Sequence, residues 1–206
     1  MSRYAHLAYT ESVRREQEQN GSAAAAARAL TGGEVPDPLG PHEAAFIAAR
    51  DGFYLASVSE TGWPYVQHRG GPAGFVHVLD EQTLGFADVR GNRQYITTGN
   101  VRAGGRVALF FMDYPHQARL KIFGHARAVP LDEDPGLTRT LTETRTDGRV
   151  ERLMVIRVEG FNWNCHQHIT PRYSEAELAE ALAPVRARIA ELEEQNKALR
   201  ALLGER

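Results

Sequence analysis

The apolar positions of this chain fall into three regimes. Between residues 52 and 161 they come in short β-rich runs, at 53–58, 65–69, 75–79 and 83–88, then in longer ones at 106–113, 118–129 and 150–161. Turn formers separate the early runs at Glu60-Thr61-Gly62, Gly70-Gly71-Pro72 and Asp80-Glu81. The last run has a period of two: Leu153, Val155 and Arg157 alternate with Met154, Ile156 and Val158. Short strands at hairpin spacing predict an antiparallel barrel or sandwich. Residues 42–50 read as a short helix with Ala45, Phe46 and Ala49 on one side, ended by Gly52. Between Asp88 and Gly105 the pattern changes to that of a helix entered from a strand through Gly91.

Residues 1–40 form the second regime. The stretches 11–19 and 23–30 favour helix, Thr31-Gly32-Gly33 stops it, and Pro36, Pro38 and Pro41 keep the chain extended. The expectation is an N-terminal arm, with a flexible low-complexity tract as the other reading of the alanine run. The third regime is 171–206. Ser174 with Glu177 is a capping box that starts a helix. Leu178, Leu182, Val185, Ile189, Leu192, Leu199 and Leu203 then follow at alternating spacings of four and three, with Asn196 in phase at an a position. So narrow a stripe predicts a short coiled coil, and an amphipathic helix packed on its own barrel is the alternative. The expected organisation is an arm (1–40), a barrel domain (41–170) and a C-terminal helix (171–206).

Composition narrows the partners. The 206 residues are 42% hydrophobic and 24% charged, ordinary for a globular protein. Basic and acidic side chains number 24 and 26, so nothing favours nucleic acid or an anionic membrane, and any anion must be held by a few placed donors. The single cysteine, Cys165, suits a reducing compartment. The first residues lack a signal-peptide pattern, and no apolar run approaches the roughly 20 residues of a membrane span. A cytoplasmic protein is expected.

Four segments carry candidate chemistry. Arg69 ends a strand before Gly70-Gly71-Pro72, where a ligand's ring or phosphate can approach the backbone; Gln67 and His68 add donors on opposite faces. The alternative is a surface arginine. In Arg90-Gly91-Asn92-Arg93-Gln94-Tyr95, Gly91 permits a sharp turn and Asn92 is placed to cap a helix whose N-terminus favours an anion beside Arg93 and Gln94. An ordinary capped helix with solvated arginines reads equally well. Arg119, Lys121, His125 and Arg127 alternate with apolar residues, which gives a strand one cationic face, toward water by default. Trp163, Asn164, His166, Gln167 and His168 crowd a short span, but two histidines and Cys165 make an incomplete ligand set, so no metal is expected.

Taken in order, Gly52 to Val66, Arg69-Gly70-Gly71-Pro72, Leu84 to Asp88, Gly91 to Asn100, Ala108 to Asp113, Leu120 to Arg127 and Asn164 to Ile169 resemble the pyridoxamine 5′-phosphate oxidase-like FMN-binding family. The resemblance implies a mainly β (α+β) fold, a six-stranded split β-barrel that forms a homodimer with two FMN sites at the interface. Carried over by position, it implies that Gln67, His68, Arg69, Asn92, Arg93 and Gln94 grip the FMN phosphate. Ala87, Asp88 and Val89 would line the isoalloxazine, and a partner subunit would add Trp163, Asn164 and Gln167. It further implies an FMN-dependent oxidoreductase acting on a small-molecule substrate, with NADH or NADPH as candidate electron donor. Alternatives are a flavin or haem sensor or storage module and a deazaflavin-dependent reductase. Gln94 replaces the lysine that the oxidase tends to place after the turn arginine, the oxidase's closing arginine–histidine signature is not clean, and a zipper-like helix is added. These departures weigh against vitamin B6 chemistry.

Overall fold

In the computed structural model, which describes residues 3–31, 35–145, 147–163 and 167–204, the alternating runs become strands and the capped polar stretches become helices. The first half comprises α1 (Arg3–Ala8), α2 (Glu11–Gln19), α3 (Ala23–Ala29), α4 (Pro41–Ala48), β1 (Gly52–Val58), β2 (Pro64–Gly70), β3 (His77–Asp80) and β4 (Thr83–Val89). The second comprises α5 (Ile96–Ala103), β5 (Arg106–Asp113), β6 (Ala118–Val129), α6 (Pro135–Thr142), β7 (Val150–Trp163) and α7 (Glu175–Leu203).

The strands form one antiparallel sheet in the order β2-β1-β5-β6-β7-β4-β3. That is seven strands, one more than the resemblance implies, with the short strand β3 at one edge. The sheet curls so that alternate side chains meet in one core: Phe53, Leu55, Phe86, Leu109, Phe111, Leu120, Ile122, Met154, Ile156 and Val158, with Ile47 from α4. Phe53 sits among other rings, stacked on Phe111 at 4.8 Å and edge-on to Phe86 at 5.5 Å. Each such ring contributes about 1.5–3 kcal/mol by leaving water. Four strands separate β2 from β4 in the hydrogen-bonded order, yet Arg69 of β2 reaches Asp88 of β4 at 2.8 Å. The barrel is therefore closed there by side chains rather than by a backbone ladder, and that seam is the split.

Two elements differ from the expectation. The buried face of α4 is Glu43 and Ile47, while Ala45 and Ala49 are exposed. The reason is polar: Glu43 accepts from Trp163 Nε1 at 2.7 Å and from Gly40 N at 3.0 Å, which turns the helix toward Trp163. Helix α6 was not anticipated. Asp134 caps it by accepting from Leu137 N at 2.9 Å, Pro135 sits in its first turn, and Leu141 is buried against Ala87, Val129 and Leu153. Both faces of β7 are thus covered at Leu153 and Met154, which blurs the alternation there.

The N-terminal segment belongs to the same compact unit as the barrel, residues Met1–Asp113 with Ala118–Gln167. Asp37 holds it by accepting from Arg3 N at 2.7 Å, Tyr4 N at 3.3 Å and Phe161 N at 3.1 Å. Tyr4 stacks on Phe123 at 4.5 Å, and α1 comes so close to β7 that a Cβ on Gly160 would lie 2.4 Å from Tyr4 N.

The second unit comprises Tyr114–Gln117 and His168–Arg206. Its main element, α7, begins with the predicted capping box: Ser174 Oγ accepts from Glu177 N at 3.2 Å, and Glu177 Oε2 from Ser174 N at 2.7 Å. Gly204, in the left-handed region at φ 71°, ends it. None of its residues is buried. Among the described residues no helix is long and apolar enough to cross a membrane, and no group of three or more His, Cys, Asp or Glu could hold a metal ion.

Candidate functional site

β2 and β4 present alternate side chains across the seam, and the loop between β4 and α5 roofs the space between them. The result is a cleft of about 60 Å³ lined by residues that include Gln67, Arg69, Asp88, Val89, Asn92, Arg93 and Gln94. Tyr95, Thr97, Thr98, Glu151 and Arg152 complete it.

The cleft is built on charge. The Asp88 carboxylate, 4% exposed, accepts from Arg69 Nη1 at 2.8 Å and from Arg152 Nη1 at 2.7 Å. Arg152 also reaches Glu151 at 2.8 Å and lies over the Tyr95 ring at 5.0 Å. Burial alone would lower its pKa, but Asp88 and Glu151 outweigh burial and raise it. Arg90 Nε approaches Glu151 at 3.7 Å. Within the lining Arg69 and Arg152 balance Asp88 and Glu151, so the cleft's surplus positive charge is that of Arg93, with Arg90 just outside beside Glu151. Pairs this short are charge-assisted, and removing one partner of a buried pair costs about 3–5 kcal/mol.

The roof is strained. Arg93 and Tyr95 stand at φ 64° and 55°, the left-handed region, at a cost of about 1–3 kcal/mol each. Asn92 Oδ1 accepts from Gln94 N at 3.2 Å, an Asx turn. Asn92 was expected to cap the helix. Instead α5 starts at Ile96 with Tyr95 at its N-cap, because the two left-handed residues interrupt the helical path. Arg93 and Gln94 therefore project from a loop ahead of the helix, and Arg93 is exposed.

Two donors in the cleft are left over. Arg69 Nε and Thr97 Oγ1 are buried with no hydrogen-bond partner among the described residues. Such a group costs about 1–3 kcal/mol until an acceptor arrives. Arginine has no acceptor atom, so its missing partner must be an acceptor.

The other expected site residues lie outside this cleft. His68 points to the opposite face of β2, edge-on to Tyr54 at 5.4 Å. The Ala87 side chain is fully buried with Leu141 and Leu153. Trp163 packs against His42 and Phe46 and donates to Glu43. Gln167 is exposed in a turn, and Asn164 lies outside the described residues. The cationic residues of β6 face outward, where Arg127 pairs with Glu133, His125 with Glu159, and Lys121 lies over the Tyr4 ring. Sequence reasoning missed Thr97, Glu151 and Arg152. Arg152 sits directly opposite Asp88 in the β4–β7 register, which only the folded sheet reveals.

A curled antiparallel sheet closed by side chains at one seam, with a cationic cleft under a strand-to-helix loop, is a split barrel. The pyridoxamine 5′-phosphate oxidase family matches residues 39–158, more than half of the chain, and the protein belongs to that family. Among solved structures, HupZ of Group A Streptococcus is similar at 15% identity, covering 66% of this chain and 100% of that one, with a TM-score of 0.50. A candidate pyridoxamine 5′-phosphate oxidase from Lactobacillus delbrueckii aligns at 20% identity over 65% of this chain and 97% of that one, TM-score 0.48. An FMN-binding protein from Syntrophomonas wolfei aligns at 14% over 75% and 96%, TM-score 0.43. No curated protein sequence shows significant similarity.

Proposed function

We propose that this protein is an FMN-binding oxidoreductase acting on a small organic substrate, and that the cleft at the barrel seam holds the FMN phosphate. The observation that carries this reading is the pair of unpartnered buried donors, Arg69 Nε and Thr97 Oγ1, in a cleft with surplus positive charge. A phosphate oxygen satisfies both and gains charge-assisted hydrogen bonds. Arg93 and Gln94, presented by the strained loop, close on the same group. Asp88 keeps Arg69 and Arg152 in place, and Thr98 Oγ1 accepts from Arg152 at 3.5 Å.

The cleft, about 60 Å³, has room for a phosphate. In this reading the ring lies beyond the cleft, against surface that a second copy completes. The outer faces of β1 and β2 offer such surface: Tyr54, Val58, Trp63 and Val66 are all exposed, Trp63 by 75%. Contiguous exposed apolar side chains of this kind mark an interaction surface. Bound FMN supplies hydride and electron transfer, and the chain supplies orientation, charge and exclusion of water. NADH or NADPH is the natural electron donor to try first.

The test is a comparison of FMN with riboflavin, which differ by the phosphate. FMN should bind one per chain, seen as fluorescence quenching, and riboflavin should bind at least about tenfold more weakly. Arg93→Ala should weaken FMN by about 1.5–3 kcal/mol, the scale of a hydrogen bond to a charged group, and leave riboflavin unaffected. Equal affinity for the two flavins would refute the phosphate assignment.

A further inference from the structure

The 29 residues of α7 span about 43 Å at roughly 1.5 Å per residue, and none of them is buried. Its apolar stripe is half exposed, with Leu178, Leu182, Val185, Ile189, Leu192 and Leu199 open by 40–57% and Leu203 by 73%. A helix that buries nothing is marginal in water, so this stripe calls for a partner.

We propose that α7 pairs with α7 of a second copy as a parallel, in-register, two-stranded coiled coil. The spacing places Leu182, Ile189, Asn196 and Leu203 at a positions and Leu178, Val185, Leu192 and Leu199 at d positions. Ile189 at a followed by Leu192 at d is the combination that favours two parallel strands, and Asn196 carries the rest of the specification. Pro184 falls at c, on the outer side, where it does not obstruct the seam.

Asn196 selects the orientation. In a parallel pair a positions face a positions, so Asn196 meets Asn196 of the second copy and the two amides satisfy each other. In an antiparallel pair with full overlap, a faces d, and Asn196 would meet Val185 of the second copy, a buried amide against an apolar side chain. Charge agrees. Arg188 occupies a g position and Glu193 the e position that follows, and these meet across a parallel seam with opposite sign. In the single chain Arg188 is held instead by Glu191 at 2.6 Å, and Asn196 Nδ2 donates back to Leu192 O at 3.2 Å.

The occupant is thus a second copy of this chain, on grounds independent of the flavin reading. The experiment uses the full chain with Cys165→Ser as background and adds one cysteine in α7. Under mild oxidation Leu199→Cys, at the seam, should form the interchain disulfide at least about tenfold faster than Ala201→Cys on the outer face, since only seam positions bring two Cβ atoms within disulfide reach. Equal rates at 199 and 201, or no disulfide at 199, would overturn the proposal. A mixture of Leu199→Cys and Leu182→Cys chains separates the orientations. Mixed 199–182 disulfides would show antiparallel pairing and overturn it, and 199–199 and 182–182 disulfides without mixed ones support it. Neither result depends on whether FMN binds.

Discussion

Asp88 is the residue on which the cleft turns. It is nearly inaccessible, and its two oxygens are divided between Arg69 and Arg152. Replacing it with asparagine keeps the shape but leaves two guanidinium groups, each about one-fifth exposed, without their counter-charge. Asp88→Asn should destabilise the fold by about 3 kcal/mol, the low end for a broken buried pair given that partial exposure. The urea midpoint measures it, and a loss under about 1 kcal/mol would mean that the triad does not hold the seam. Inorganic phosphate should raise the midpoint of the variant more than that of the parent, because an anion then replaces the lost carboxylate. Arg69 and the segment from Asn92 to Gln94 could be picked out from sequence because glycines and a strand end mark them. Arg152 and Glu151 could not, because their place depends on pairing β4 with a strand about sixty residues away. Thr97 reads as an ordinary helical threonine, and only the fold buries its hydroxyl without a partner among the described residues.

At the scale of elements, the strands were readable because alternation and turn chemistry agree at nearly every one. The helices were readable where a cap announced them, as at Ser174. Helix α6 escaped because its apolar content is small, although Asp134 before Pro135 is a start signal. The packing face of α4 escaped because a carboxylate, not an apolar side chain, decides it. Burial works against ionisation of Glu43, but hydrogen bonds from Trp163 and from the backbone of Glu43 and Gly40 outweigh it and hold the carboxyl below its ordinary value of 4.5. A depressed carboxyl pKa contributes stability that is complete above the unfolded value and lost as pH falls through the folded one. Glu43→Gln should therefore cost about 1.5–3 kcal/mol near neutral pH, where the charged hydrogen bonds are intact. The gap between variant and parent should shrink from about pH 5 downward, and urea midpoints near pH 7 and pH 3 would show it. A gap that stayed constant over that range would mean that Glu43 acts through shape rather than charge.

At the scale of the whole molecule, two surfaces on one chain ask for a second copy, and they make separable demands. The outer face of β1 and β2 is proposed to complete the flavin site, while the stripe of α7 is proposed to hold two chains together. Val66 is 60% exposed in the single chain, so Val66→Glu should change intrinsic stability by no more than about 0.5 kcal/mol. A glutamate buried against another apolar face is another matter, because an unpaired carboxylate there is costly. The variant should lose FMN affinity by at least about tenfold, seen in fluorescence titration. Light scattering should still report the mass of two chains, because α7 keeps them tethered at high effective concentration. If FMN binds Val66→Glu as tightly as the parent, the outer face has no part in the site and the ring must be housed within a single barrel. If the mass falls to one chain, the barrel faces rather than α7 were holding the dimer. The same substitution thus assigns cofactor binding and assembly to their surfaces one at a time.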